Sequence, residues 1–194
     1  MNLSAVILAG GRSSRMGRDK ARLELGGRPL LARQIQLARE AGAAKVFVSG
    51  HAERDYLEFG CPVLFDRSAD AGPLAGIERA LTEISSSWLL VLAVDMPNLT
   101  PAILQQLAGR GAGTTGVIPR VNGRIEPLAA IYPKAASRLA LTLLDDGRHA
   151  ATTFAELCVE SGLAGFHDLP ADAAGFFASC NTPSDLRVPI MTQC

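Results

Sequence analysis

Hydrophobic positions in this chain fall into two kinds of run. Leu3–Ala9 and Trp88–Val94 are almost wholly apolar, the pattern of strands buried on both faces of a sheet. Between and after them, apolar residues recur at helical spacing. Leu31, Ile35 and Ala38 lie at i, i+4 and i+7 in a helix that starts near Pro29 as its first residue and ends at Gly42. Leu74, Ile77, Leu81 and Ile84 form a second stripe, starting from Gly72 and broken at Ser85–Ser87. Lys45–Ser49 and Cys61–Phe65 read as further strands, bridged by a short helix from about Glu53 to Phe59.

The second half is less regular. Thr100 and Pro101 supply the N-cap and first residue of another helix. Thr115–Pro119 and Ile125–Tyr132 read as strands around a turn at Val121-Asn-Gly123. Helices follow over about Ala135–Leu144 and Ala150–Cys158, then an edge strand at Phe166–Leu169 and a last helical turn over Asn181–Leu186. Alternation of strand and helix predicts an α/β, Rossmann-like three-layer fold with a mostly parallel sheet. Neither a linker nor a repeat divides it, so residues 1–194 are expected to form a single domain.

Composition narrows the function classes. The chain has 48% hydrophobic and 20% charged residues and zero formal net charge, which disfavours nucleic acid as a partner. No apolar run reaches membrane-spanning length, and the first residues lack a basic n-region, so a cytoplasmic location is expected, with no membrane partner. Cys61, Cys158, Cys180 and Cys194 are scattered without metal-ligand spacing, which predicts free thiols, Cys61 in the core and Cys194 in an exposed tail. His51, His149 and His167 share no spacing with a Ser or Asp that would suggest a hydrolytic triad.

Charge is distributed unevenly. From Arg12 to Arg33 there are seven Lys/Arg against Asp19 and Glu24, a local excess of five that suits a compact polyanion. It begins where Leu8 and Ala9 deliver the chain into Gly10 and Gly11. Glycines let main-chain N–H groups approach an anion closely, and successive N–H groups form a concavity for negative charge. Arg15 can grip phosphate oxygens as a fork and Lys20 as a point charge. Neither a Walker loop nor a dinucleotide fingerprint fits, because Gly17 is followed by Arg18 and no G-x-G-x-x-G occurs here. Asp66 and Asp95 each follow an apolar strand. In open parallel sheets such tips share one crevice with the glycine turn. Asp95 is the first candidate for a magnesium ligand, since that ion takes one or two carboxylates plus substrate phosphates.

Leu8, Ala9, Gly10, Gly11, Arg15, Met16, Gly17, Asp19 and Lys20 stand in register with L-A-G-G-x-x-x-R-M-G-x-D-K. The chain thereby resembles the nucleotidyltransferases that activate sugars and cofactors, and within them most closely the molybdenum cofactor guanylyltransferases. Gly72-Pro-Leu-Ala-Gly76, Arg124-x-Glu126-Pro127-Leu128 and Asn181-Thr-Pro183 extend the likeness to about residue 186.

The resemblance implies a nucleotide-diphospho-sugar transferase type of fold. It implies an enzyme that uses Mg2+ and GTP, transfers GMP to a molybdopterin-type acceptor and releases pyrophosphate. It assigns Arg15, Lys20 and Asp95 to catalysis. Nucleotide contacts are implied for Leu8, Ala9, Gly10, Gly11, Lys20, Ser49, Asp66, Asp95 and Asn181, and metal binding for Asp95. Where the family carries an Asn at the end of its second strand, this chain has Ser49, shorter and without the amide's paired donor and acceptor. Cofactor-delivery or acceptor-enzyme proteins are implied partners of what is expected to be a monomer. The competing readings are a related transferase using CTP or a sugar phosphate, and a nucleotide or cofactor carrier without turnover.

Overall fold

The computed structural model describes residues 2–10, 19–50, 56–65, 72–110 and 115–180. Among the described residues, ten strands and five α-helices run in chain order as β1 (Leu3–Leu8), β2 (Glu24–Leu25), β3 (Arg28–Pro29), α1 (Leu30–Glu40), β4 (Lys45–Gly50), β5 (Val63–Phe65) and α2 (Gly72–Glu83). There follow β6 (Trp88–Ala93), α3 (Pro101–Arg110), β7 (Gly116–Val121), β8 (Arg124–Ile125), β9 (Ala129–Pro133), α4 (Ser137–Asp145), α5 (Ala151–Glu160) and β10 (Ala164–Leu169).

The main sheet has the order β10-β7-β9-β6-β1-β4-β5, with β8 paired to β7. The two apolar runs became its centre. All six residues of β1 are buried, and β1 pairs in parallel with β4 on one side and β6 on the other. Period-2 alternation sends Ala5 and Ile7 to one face, against Leu31 and Ile35 of α1 and Leu104 and Leu107 of α3. Val6 and Leu8 go to the other face, with Leu74 and Ile77 of α2 and Phe154 of α5. The three layers and the mostly parallel sheet are those expected.

Several details differ from the periodicity reading. Pro29 ends β3 and caps α1 instead of opening it, because β2 and β3 form a small antiparallel hairpin around Gly26 and Gly27. The expected strand Ile125–Tyr132 is two strands. Pro127 cannot donate to a ladder, and the Glu126 and Ala129 amides bond the Pro119 and Glu126 carbonyls instead. The turn before it is as predicted, with Asn122 and Gly123 at φ 51° and 77°, the left-handed pair that a two-residue hairpin loop requires. β9 runs antiparallel to both β6 and β7. A 3₁₀ segment, Ala171–Phe177, had no signal in the sequence. Of the helix expected over Glu53–Phe59 only Leu57–Phe59 is described, as one 3₁₀ turn. The turn expected over Asn181–Leu186 lies outside the described residues.

Candidate functional site

From β1 the chain continues to β4 on one side, then returns through α2 to β6 on the other side. The carboxyl ends of these strands therefore flank a crevice at a topological switch point. The ends are flush, since Leu8 pairs with both Ser49 and Ala93.

Asp95 lies two residues beyond β6. Its Oδ2 accepts a hydrogen bond from Lys20 Nζ at 3.0 Å, with about one-fifth of each side chain exposed (20% and 22%). Two residues 75 positions apart, singled out by a basic loop and a strand tip, thus meet on the same side of the sheet.

Lys20 opens a single 3₁₀ turn, Lys20–Arg22, and the preceding Asp19 caps it by accepting from the Ala21 amide at 3.1 Å. The Tyr56 hydroxyl donates to the same carboxylate, at 3.1 Å from Oδ1 and 3.0 Å from Oδ2. Tyr56 is fully buried, so the turn carrying Lys20 is latched to the core through Asp19. The Arg22–Glu58 ion pair ties the turn to the same region.

The other end of the pair is also held. Gln34 of α1, 1% exposed, donates from Nε2 to the Met96 carbonyl at 2.7 Å. The Cys180 amide donates to the Asp95 carbonyl at 2.8 Å. Sequence reasoning missed Tyr56 and Gln34. A signal existed for Gln34, a polar residue inside the apolar stripe Leu31, Ile35, Ala38. For Tyr56 there was none, because its partner is 37 residues away.

The glycine turn is described only as far as Gly10. The amides of Ala9 and Gly10 both donate to the Ser49 carbonyl, at 2.9 and 3.1 Å, and the Leu8 carbonyl accepts from Val94 at 3.2 Å. These main-chain groups fasten the turn to its neighbouring strands. Ser49 is buried and its hydroxyl points at α2, where Gly76 makes room for it. A Cβ at Gly76 would overlap Ser49 Oγ outright and stand 2.9 Å from Leu8 Cδ2. The expected nucleotide contacts Gly11, Arg15, Asp66 and Asn181 lie outside the described residues.

On the far side of β6 from β4, a cavity of about 440 Å³ is lined by Val121, Asn122, Arg124 and Glu126 and by the 174–179 segment. Glu126 is 5% exposed, and Arg124 Nε reaches its Oε1 at 3.1 Å. Burial pushes this carboxyl above its ordinary range, and the guanidinium works in the opposite direction. Among the described residues no group of three or more His, Cys, Asp and Glu is placed to hold a metal, and no helix is long and apolar enough to cross a membrane.

A glycine turn, a lysine and a strand-tip carboxylate at the switch point of a mostly parallel sheet form the ligand-binding crevice of a doubly wound α/β protein. The solved structure of molybdopterin-guanine dinucleotide biosynthesis protein A from Archaeoglobus fulgidus has the same fold, with a TM-score of 0.73, 23% identity and 95% of each chain covered. The chain belongs to the MobA-like NTP transferase domain family, whose model matches residues 5–160. It is 37% identical over 186 residues to a "probable molybdenum cofactor guanylyltransferase" of Opitutus terrae, covering 94% of this chain and 92% of the relative. A relative with the same designation from Pelotomaculum thermopropionicum is 35% identical over 188 residues, covering 96% and 91%.

Proposed function

We propose that this chain transfers GMP from GTP to the molybdenum cofactor, releasing pyrophosphate and forming a molybdopterin guanine dinucleotide. The observation that carries the proposal is the meeting of Lys20 and Asp95 at the strand tips of a chain whose curated relatives bear that designation. An oxygen of the acceptor's terminal phosphate attacks the α-phosphorus of GTP. The bond from that phosphorus to the α,β-bridging oxygen breaks, and pyrophosphate leaves with the electron pair. The attacking phosphate is already ionised at neutral pH, so the reaction needs positioning and charge neutralisation more than a strong base.

Lys20 exchanges its bond to Asp95 for the nucleotide's phosphates, and in this proposal Gly11 and Arg15 complete the cradle. Leu8, Ala9 and Gly10 act through main chain that anchors the turn to β4 and β6. Ser49 contributes in the same manner, since its hydroxyl faces Gly76. Asp66 is assigned to the nucleoside. Asn181 follows Cys180, which is bonded to Asp95, and is assigned to the reacting end of the nucleotide.

Asp95 suits magnesium, being a hard oxygen donor that is partly exposed at the rim of the crevice. The ion recruits few protein ligands and fills its shell with water and phosphate oxygens, so one carboxylate is a fitting donor set. When bound there, it would neutralise charge developing on the transferred and leaving phosphates. A cytoplasmic, monomeric enzyme is part of the same reading.

The test is pyrophosphate release from GTP, CTP or ATP, each with magnesium and a molybdenum cofactor source. Release with GTP and acceptor together is expected. A clear preference for CTP would overturn the choice of base. Tight GTP binding with no pyrophosphate in the presence of a competent acceptor would make the protein a carrier.

A further inference from the structure

On the α1 side of the sheet a second cavity, of about 210 Å³, opens between that helix and the segment joining β6 to α3. Arg33, Gln34 and Leu37 of α1 line one side, Pro97 and Leu99 the other, and the exposed Arg28 of β3 completes it. Two buried polar atoms in this lining have nothing to bond. Among the described residues, Arg33 Nε and Gln34 Oε1 are the two buried side-chain nitrogen or oxygen atoms without a hydrogen-bond partner. A buried donor and a buried acceptor left unpaired both cost free energy, which a ligand carrying the complementary groups recovers. That both fall in one cavity marks it as a site.

The charges around it favour an anion. Neither Arg28 nor Arg33 is paired with a carboxylate among the described residues. Arg28 Nη1 donates to Gln36 Oε1, and Gln36 Nε2 donates to Glu40 Oε1, so the cavity's own carboxylate is engaged by a neutral amide. Oxygen acceptors answer the guanidiniums, and an O–H on the same anion answers Gln34 Oε1. Hydrogen phosphate carries both near neutral pH, with a charge of about −2 that matches the two arginines.

We propose that this cavity is an inorganic-phosphate site, separate from the nucleotide crevice, in which Arg28 and Arg33 hold the anion and its O–H donates to Gln34 Oε1. The two orphan atoms do not touch solvent, so the anion enters with a turn of the long Arg28, Arg33 and Gln36 side chains. Gln34 links the site to the reacting centre. Its Nε2 donates to the Met96 carbonyl, and a hydrogen bond accepted at Oε1 polarises the same amide and strengthens that donation. Phosphate bound here therefore firms the loop that carries Asp95, whether or not the chain transfers GMP.

The test is a ¹⁵N-resolved NMR titration of the full-length protein at pH 8, with GTP and magnesium filling the crevice and no acceptor present. Inorganic phosphate, sulfate and methyl phosphate are added at equal ionic strength while the Arg33 Nε–H and Gln34 Nε2–H signals are followed. At this pH sulfate and methyl phosphate are dianions without an O–H, whereas inorganic phosphate keeps one. Phosphate should shift both signals saturably and bind at least about tenfold more tightly than either, the discrimination expected when a hydrogen bond to a buried acceptor becomes a repulsive contact. Arg33→Gln should weaken phosphate binding about tenfold or more and leave GTP affinity within about twofold. Equal binding of the three anions by wild type, or shifts confined to the Lys20 turn, overturns the proposal without reference to any variant. So does unchanged phosphate affinity in a folded Arg33→Gln protein. Hydrogencarbonate, which has an O–H but a single charge, is the fourth arm, and its binding more tightly than phosphate overturns the choice of anion.

Discussion

Replacing Asp95 by Asn separates the structural from the functional content of the Lys20–Asp95 pair. The substitution keeps size and hydrogen-bonding capacity and removes one charge. At 3.0 Å the gross Coulomb attraction is about 5–6 kcal/mol for an effective dielectric of about 20. Desolvation and side-chain ordering offset most of that, and both side chains remain about one-fifth exposed (20% and 22%), so the net contribution is on the order of 1 kcal/mol. For a chain of this size that corresponds to a fall in Tm of about 2–4 °C. Turnover should suffer far more. Losing a charge placed for the reacting phosphates should cost about a hundredfold or more in kcat, equivalent to about 2.7 kcal/mol. GTP binding should respond with opposite signs in two conditions. In EDTA the variant should bind GTP several-fold more tightly, since a carboxylate no longer faces the triphosphate and Lys20 no longer has to leave it. With magnesium the variant should bind more weakly than wild type. Calorimetric titration in both conditions, with a thermal melt and initial rates, reads all three effects. An unchanged kcat, or metal-free affinity that falls along with Tm, would refute the assignment.

Tyr56→Phe removes the hydroxyl that latches Asp19, at a cost of about 1.5–3 kcal/mol for a hydrogen bond to a charged group, and it should raise KM for GTP more than it lowers kcat. A melt unchanged to within a degree would contradict this. Gln34→Leu leaves the Met96 carbonyl without its 2.7 Å donor, costing about 1–3 kcal/mol. Because that carbonyl directly follows Asp95, the variant should lower kcat at saturating GTP even at temperatures where it is fully folded; kcat at the wild-type value there would make Gln34 a packing residue only. Burial raises the Cys158 thiol to about 12, so at pH 8 only about one molecule in ten thousand carries a thiolate there. Iodoacetamide should leave Cys158 unlabelled in the native protein and label it after denaturation, as peptide mass analysis would show; rapid native labelling would mean that this core opens.

Much of the architecture was legible along the chain because burial leaves a periodic record. Leu3–Ala9 and Trp88–Val94 could only be strands covered on both faces, and Asn122-Gly123 could hardly be anything but a tight hairpin turn. Glycine turn, Lys20 and Asp95 were likewise visible, since each is a local departure from its neighbours: a flexible turn, an excess of cations, a carboxylate ending an apolar run. Pro127, by contrast, divided a strand that hydrophobicity alone ran together, because a missing N–H leaves no mark in an apolar pattern.

What only the tertiary structure decided were relationships between positions far apart in the chain. That Tyr56 holds Asp19, that Gln34 holds the Met96 carbonyl, and that the Ser49 side chain packs against Gly76 all depend on packing between elements. Hydrophobic periodicity reports which face of an element is buried, because that depends on local geometry. It carries no information on which other element covers that face, because that choice is made by the summed fit of the whole core.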